Sequence, residues 1–88
     1  MYKNKAADNR CNICGHNIAR MRKERGLSQR MLAEKMQTCG VDIDKNAIQR
    51  LESGKRCLID IEIIALTRTF GCSLDDLFAP YSISDMPI

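Results

Sequence analysis

Apolar residues recur every three or four positions from Ile13 to Phe78, and this spacing places them on one side of an α-helix. Glycines and Pro80 interrupt the pattern and divide it into short segments. The pattern therefore predicts an all-α chain with five helices, at about residues 12–25, 29–39, 45–53, 60–70 and 74–78.

Residues suited to begin a helix stand at three of the predicted starts. Ser28, Asp44 and Ser73 each carry a side-chain oxygen that can accept a hydrogen bond from a backbone N–H of the first turn. Asp76 stands three residues after Ser73, so this start resembles a capping box with Asp in place of the usual Glu or Gln. These residues support the second, third and fifth helices independently of the periodicity.

The apolar stripes of the third and fourth helices predict part of the core. In the third helix, the residues expected to face inward are Ala47, Ile48 and Leu51. In the fourth helix, the stripe expected to be buried consists of Ile63, Ile64, Leu66 and Phe70. Because the chain has two Phe, two Tyr and no Trp, aliphatic side chains and Met must fill most of the core.

The length of the chain suggests one small domain between polar ends. At 88 residues there is room for a single core and for no separate small-molecule-binding domain. We expect residues 1–12 to form a flexible N-terminal arm, residues 13–78 to form the folded domain, and residues 79–88 to form a C-terminal tail.

Neither a membrane segment nor a secretory leader is expected. The longest apolar run, Ile63 to Leu66, is far shorter than the roughly 18–20 residues that span a bilayer. The first ten residues are polar and lack the apolar stretch of a leader. Because the five cysteines are also odd in number, we expect a cytoplasmic protein with reduced thiols.

Charged residues are distributed unevenly, although the formal net charge is only +3. Residues 1–30 have eight Lys or Arg against two acids, whereas residues 57–88 have one Arg against five acids. A basic segment attracts the phosphates of a nucleic acid by steering and by counterion release. The alternative is a surface whose charges serve only solubility, and charge alone does not decide between the two.

The outward side of the third helix carries four side chains that can form hydrogen bonds with base edges: Lys45, Asn46, Gln49 and Arg50. The major groove of B-DNA is about 12 Å wide and accepts an α-helix. There, Lys45 or Arg50 can donate to guanine O6 and N7, and Asn46 or Gln49 can pair with adenine N6 and N7. A solvated helix surface has the same composition, so this face by itself leaves both interpretations open.

Three motifs occur in order around this helix. They are Leu27-Ser28-Gln29 before and at the start of the second helix, Ile48-x-x-Leu51-Glu52-x-Gly54-Lys55-Arg56 at the end of the third, and Gly71-x-Ser73-Leu74-Asp75-x-Leu77 around the fifth. In this combination the chain resembles the phage-repressor and Cro-type helix-turn-helix family, also called the XRE family, over residues 13–78. The resemblance implies a five-helix, lambda-repressor-like bundle containing a helix-turn-helix, with the third helix as the recognition helix.

The resemblance also implies how the chain contacts DNA. The four outward residues of the third helix would face base edges. Gln29, at the start of the second helix, would reach a backbone phosphate, and Lys55 and Arg56 would lie near the opposite phosphates. In the basic first helix, Arg20 and Lys23 are further candidates for phosphate contacts, with plain solvation as the alternative.

Two further features concern the position of the third helix. The resemblance implies an internal ion pair between Arg22 and Glu52, so Arg22 is a poor candidate for a DNA contact. Residues 37–41 lengthen the second helix and its turn relative to the shortest family members. The third helix should survive this insertion because its start and stop signals are intact, but the insertion leaves its tilt open.

Cys11-x-x-Cys14-x-His16 has the spacing of half a zinc site. A tetrahedral site needs at least one further ligand, and the other cysteines do not form a second Cys-x-x-Cys. The resemblance places Cys14 and His16 at the start of the first helix, where they need no metal. We therefore expect no metal and no cofactor. A nucleophilic Cys would also need an orienting group that the sequence does not supply, so we expect no enzyme.

These observations predict a sequence-specific regulator of transcription, most simply a repressor, that binds double-stranded DNA. We expect a homodimer on two half-sites about 34 Å apart, with Ile83, Met86 and Pro87 of the tail as candidate dimer contacts together with the fifth-helix region. One alternative is a protein-interaction module of the same fold, such as an antitoxin or an adaptor. A Cys-based metal or redox sensor is the other.

Overall fold

Side-chain caps set the starts of three helices in the computed structural model, which describes residues 9–80. Ser28 Oγ, Asp44 Oδ1 and Ser73 Oγ each accept from the backbone N–H three residues later, at 3.0, 2.8 and 3.1 Å. The Asp76 carboxylate in turn accepts from the Ser73 N–H at 3.3 Å, which completes the expected capping box.

Five helices form within residues 9–80, and no strand occurs among them: α1 Gly15–Glu24, α2 Gln29–Thr38, α3 Lys45–Glu52, α4 Asp60–Phe70 and α5 Leu74–Phe78. The prediction of an all-α chain with five helices is therefore confirmed. Helix α1 begins at Gly15 rather than near Asn12, because the preceding residues bind to the end of α3 instead of extending the helix. None of these helices is long and apolar enough to cross a bilayer.

The core lies where α1, α2, α3 and α4 meet, and α5 closes one end of it. Helix α3 packs against α1 and α2, whereas α4 packs against α2 and α5. The largest fully buried apolar side chains are Ile18, Leu32, Met36, Ile48, Leu51, Leu66 and Leu77. The core is thus mainly aliphatic with Met, as the composition predicted.

The buried stripe of α4 differs from the predicted one. Ile64 is 51% exposed and Ile63 is half-buried, whereas Glu62 and Ala65 are buried together with Leu66 and Phe70. The prediction followed apolar residues only, but the ion pair between Glu62 and Arg56 allows a carboxylate to occupy the inner face. The helix is therefore rotated so that Ile64 faces outward.

The segment expected to lengthen α2 and its turn, residues 37–41, ends α2 at Thr38 and then folds back onto the core instead of forming an open loop. Gly40 adopts a left-handed φ of 84°, which reverses the chain after the helix. Val41 and Ile43 are buried, and Gln37 Nε2 donates to the Ile43 carbonyl at 2.8 Å. Val41, the last residue of that segment, and Ile43 after it thus extend the core toward the start of α3. The tail residues Ile83, Met86 and Pro87 lie outside the part of the chain described here.

Candidate nucleic-acid interface

Helix α3 has one buried side and one open side. The side chains of Ile48 and Leu51 are fully buried, and Ala47 is half-buried beside them. All four predicted base-contact residues are exposed: Lys45, Asn46, Gln49 and Arg50. Their side chains form no hydrogen bond or ion pair with any residue from 9 to 80. The structure thus leaves their donors and acceptors available to a ligand.

The C-terminal end of α3 is fixed to α1 and α2 through the carboxylate of Glu52. Arg22 on α1 donates from Nε to Glu52 Oε2 at 2.7 Å and from Nη2 to Glu52 Oε1 at 3.1 Å. Both side chains are about nine-tenths buried, with relative exposures of 11% and 9%. The hydrogen bond with Glu52 raises the pKa of Arg22 above its ordinary value. The bidentate geometry favours a single arrangement of α1 against α3.

Gln29 takes part in the same cluster. Its amide nitrogen donates to Glu52 Oε1 at 3.1 Å, so Glu52 binds both α1 and α2. We expected Gln29 at a phosphate. Because a Gln amide has two N–H donors, this bond leaves one for such a contact.

A second set of contacts, absent from the sequence-based prediction, joins residues 10–12 to the end of α3. Asn12 is buried, and its amide nitrogen donates to the carbonyls of Leu51 at 2.9 Å and Arg56 at 2.8 Å. Its Oδ1 accepts from the Gly15 N–H at 2.7 Å. The Cys11 N–H donates to the Gly54 carbonyl at 2.8 Å. Residues expected in a free arm therefore form part of the folded domain, whereas residues 1–8 lie outside the described range.

Gly15 explains how closely this segment approaches α3. A Cβ at position 15 would collide with the Leu51 carbonyl and with the Arg10 side chain. Arg10 Nη2 donates to the Glu52 carbonyl at 2.6 Å. An Asn followed three residues later by Gly at a helix start was the available signal in the sequence, but only the fold shows the partner.

The two basic residues in the loop after α3 have different environments. Lys55 is exposed, as a phosphate contact requires. Arg56 Nη1 instead donates to Glu62 Oε1 at 2.8 Å, and Glu62 is only 1% exposed. The hydrogen bond with Glu62 is the main cause that raises the pKa of Arg56. We expected an open Arg56, whereas its guanidinium neutralises a buried carboxylate and fixes the loop to α4.

The two candidates on α1 are both exposed. Arg20 lies 3.3 Å from Glu24 in an exposed ion pair, and pairs of this kind contribute little to stability. Lys23 has no ion pair within residues 9–80. The exposed pair with Glu24 does not prevent Arg20 from turning toward a phosphate, and the exposed Lys23 side chain can do the same.

The Cys and His residues before and within α1 do not assemble into a metal site. Cys14 is buried, and burial raises the pKa of its thiol to about 12. His16 is exposed and Cys11 is half-buried. Within residues 9–80 no three His, Cys, Asp or Glu side chains form a group that could hold a metal ion. The buried thiol of Cys14 instead belongs to the core.

Comparison with known proteins gives one match at the level of a family. A family model described as Helix-turn-helix matches residues 18–77, which is more than half of the chain. Comparisons with curated proteins and with solved structures returned no significant match. The matched range runs from α1 to α5 and contains α3 entirely.

Proposed function

The chain belongs to the Helix-turn-helix family of phage-repressor and Cro type, and we propose that it is a sequence-specific regulator of transcription that reads the DNA major groove with α3. The family is one of DNA-binding regulators. The open side of α3 is the main support for sequence-specific DNA binding. Four polar side chains on it have no partner among residues 9–80. A repressor is the simplest form of such a regulator, since a small domain that occupies its site can block transcription.

The spacing of the four residues suits base readout. Lys45 and Arg50 are five residues apart, which is about 7.5 Å along a helix axis. This length corresponds to roughly two base-pair steps of 3.4 Å. Lys45 and Arg50 supply donors for guanine, whereas Asn46 and Gln49 supply the paired donor and acceptor that adenine requires. The set can therefore discriminate among base pairs and is more than a positive patch.

Phosphate contacts are assigned to side chains around α3. Lys55 follows the helix directly, Gln29 retains one donor at the start of α2, and Arg20 and Lys23 extend the basic surface along α1. Arg56 acts mainly through Glu62, by holding the loop that carries Lys55. These contacts set the position of the protein on the duplex, whereas α3 supplies specificity.

Two copies on a pair of half-sites would supply the specificity that one helix lacks. The two recognition helices would then enter the major groove one helical turn apart, about 34 Å. A selection of bound duplexes from a randomised library would yield both the half-site and its spacing.

The division of roles is tested on the selected duplex by fluorescence anisotropy at several salt concentrations. Arg50→Ala should weaken specific binding by about 1–3 kcal/mol and relax the preference at one base pair. Lys55→Ala should weaken binding to all sequences and flatten the salt slope by about one unit. Lys35→Ala removes the same unit charge from α2 outside the predicted contact set and serves as the control. Equal losses on selected and random DNA for Arg50→Ala would contradict base readout by α3.

A further inference from the structure

One end of α4 exposes an unusual amount of apolar surface. Ile59, just before the helix, is 48% exposed, and Ile61 and Ile64 are 57% and 51% exposed. Ile61 and Ile64 are three residues apart and so lie on the same side of the helix. Contiguous exposed apolar side chains of this size mark interaction surfaces more often than isolated ones do.

Ile61 and Ile64 border a groove of about 280 Å³ between α4 and the turn after α2. Its remaining lining comes from Ala65 and Arg68 of α4 and from residues 39–41. No lining residue belongs to α3, which packs on α1 and α2. The groove is therefore built without any of the base-contact residues of α3.

Charged residues along the same row of α4 indicate which partner fits. Asp60, Ile64 and Arg68 are spaced by four residues and form one ridge of the helix, with an acid at one end and a base at the other. Both charged side chains are exposed, and neither forms an ion pair within residues 9–80. When two such ridges run antiparallel with Ile64 at the centre, Asp60 of each copy meets Arg68 of the other.

We propose that this ridge and the groove beside it are the interface between two copies of the chain, related by a two-fold axis near Ile64. A two-fold interface must be complementary to itself, and an acid–apolar–base row meets that condition in the antiparallel orientation. Ile61 of each copy then enters the groove of the other, beside Ala65. The base-contact residues of α3 are not part of the ridge or the groove. The use of the pair on DNA rests on the proposed function, whereas the pairing itself does not.

The proposed interface is small, so we expect weak self-association. A single pair of helices buries less than the roughly 1,200 Å² of a standard stable complex, so the dimer is weak and depends on concentration. Adjacent half-sites would hold two copies together and make the second binding event effectively intramolecular.

Sedimentation of the full chain over a range of concentrations tests the pairing. Ile64→Asp should abolish self-association, whereas Met31→Asp, at another exposed apolar side chain on α2, should leave it intact. Asp60→Arg and Arg68→Asp should each weaken self-association about tenfold or more, because each places like charges opposite one another twice. The double exchange should recover most of the loss. If the single exchanges acted only by weakening the α4 helix, the double exchange would not restore self-association. Circular dichroism monitors the fold of every variant.

Three results would overturn the proposal. They are a wild-type chain that stays monomeric at millimolar concentration, self-association that survives Ile64→Asp, and a double exchange that recovers nothing. If self-association were lost on removal of residues 81–88 but survived in Ile64→Asp, the interface would belong to the tail and not to α4. Binding of the Ile64→Asp variant to a single half-site tests the proposed function separately from the pairing, because this binding uses α3 and needs no second copy.

Discussion

Removing the positive partner from the buried pair at the end of α3 should destabilise the domain strongly. Arg22→Met keeps much of the side-chain length but leaves the Glu52 carboxylate, with 9% exposure, with the Gln29 amide as its sole partner among residues 9–80. An uncompensated buried charge of this kind costs about 3–5 kcal/mol. The free energy of unfolding of a domain of 88 residues is about 4–13 kcal/mol, so the loss is a large fraction of the total.

Urea unfolding followed by circular dichroism measures this loss, since the chain has no Trp to report by fluorescence. With a slope of about 1 kcal/mol per molar urea, the midpoint should fall by about 3 M or more. Replacing both partners, as in Arg22→Met with Glu52→Leu, leaves no charge to desolvate and should cost less than Arg22→Met alone. The double-mutant cycle therefore separates the pair from ordinary loss of packing.

Two results would refute this reasoning. A cost below about 1 kcal/mol for Arg22→Met would mean that the carboxylate regains water, as exposed pairs do. A double variant whose loss equals the sum of the two single losses would mean that Arg22 and Glu52 contribute independently.

Four further predictions concern other parts of the fold. Asn12→Ala should lower the free energy of unfolding by about 1–3 kcal/mol in urea, because the Arg56 carbonyl loses its amide donor, the Leu51 carbonyl keeps the Gly54 N–H but loses the Asn12 amide, and the Gly15 N–H loses its acceptor; Asn46→Ala on the open face is the control. Asp44→Ala removes the cap of α3 and should cost about 1 kcal/mol and weaken DNA binding; unchanged stability would exclude the cap as a contributor. A thiol reagent at pH 8 should label exposed Cys39 well before Cys14, whose pKa burial raises to about 12; equal rates would contradict the burial. Because the raised pKa belongs to the folded state, the contribution of Cys14 to stability is complete below about pH 9 and declines toward pH 12, and Cys14→Ala should reduce that decline.

The sequence predicted those features that depend on residues close together in the chain. The caps at Ser28, Asp44 and Ser73 act over three residues, and the bounds predicted for α4 and α5 agree with the structure. The open face of α3 was likewise predictable, because a helix with a strong apolar stripe must expose its other side.

Features that depend on distant residues were missed or assigned incorrectly. Asn12 donates to carbonyls 39 and 44 residues away, and nothing near Asn12 in the chain specifies those partners. The inward turn of Glu62, which carries Ile64 to the surface, is favourable because the distant Arg56 reaches it and the Ile59 N–H also donates to Glu62 Oε1 at 3.1 Å. Hydrophobic periodicity assigns acids to the outside, so it fails where a buried charge has a partner.

Buried polar contacts at the C-terminal end of α3 fix the position of this helix in addition to the apolar core. Ile48 and Leu51 hold the helix against the core, but apolar contacts alone permit small rotations and shifts. The bonds to Glu52 and those from Asn12 have defined directions and converge on the last turn and the loop that follows. They fix the helix before DNA arrives, while the side chains from Lys45 to Arg50 remain unpaired within residues 9–80. Because the helix is held in place in advance, we expect less entropy to be lost on binding DNA, so that these polar contacts would add to affinity through the position of α3.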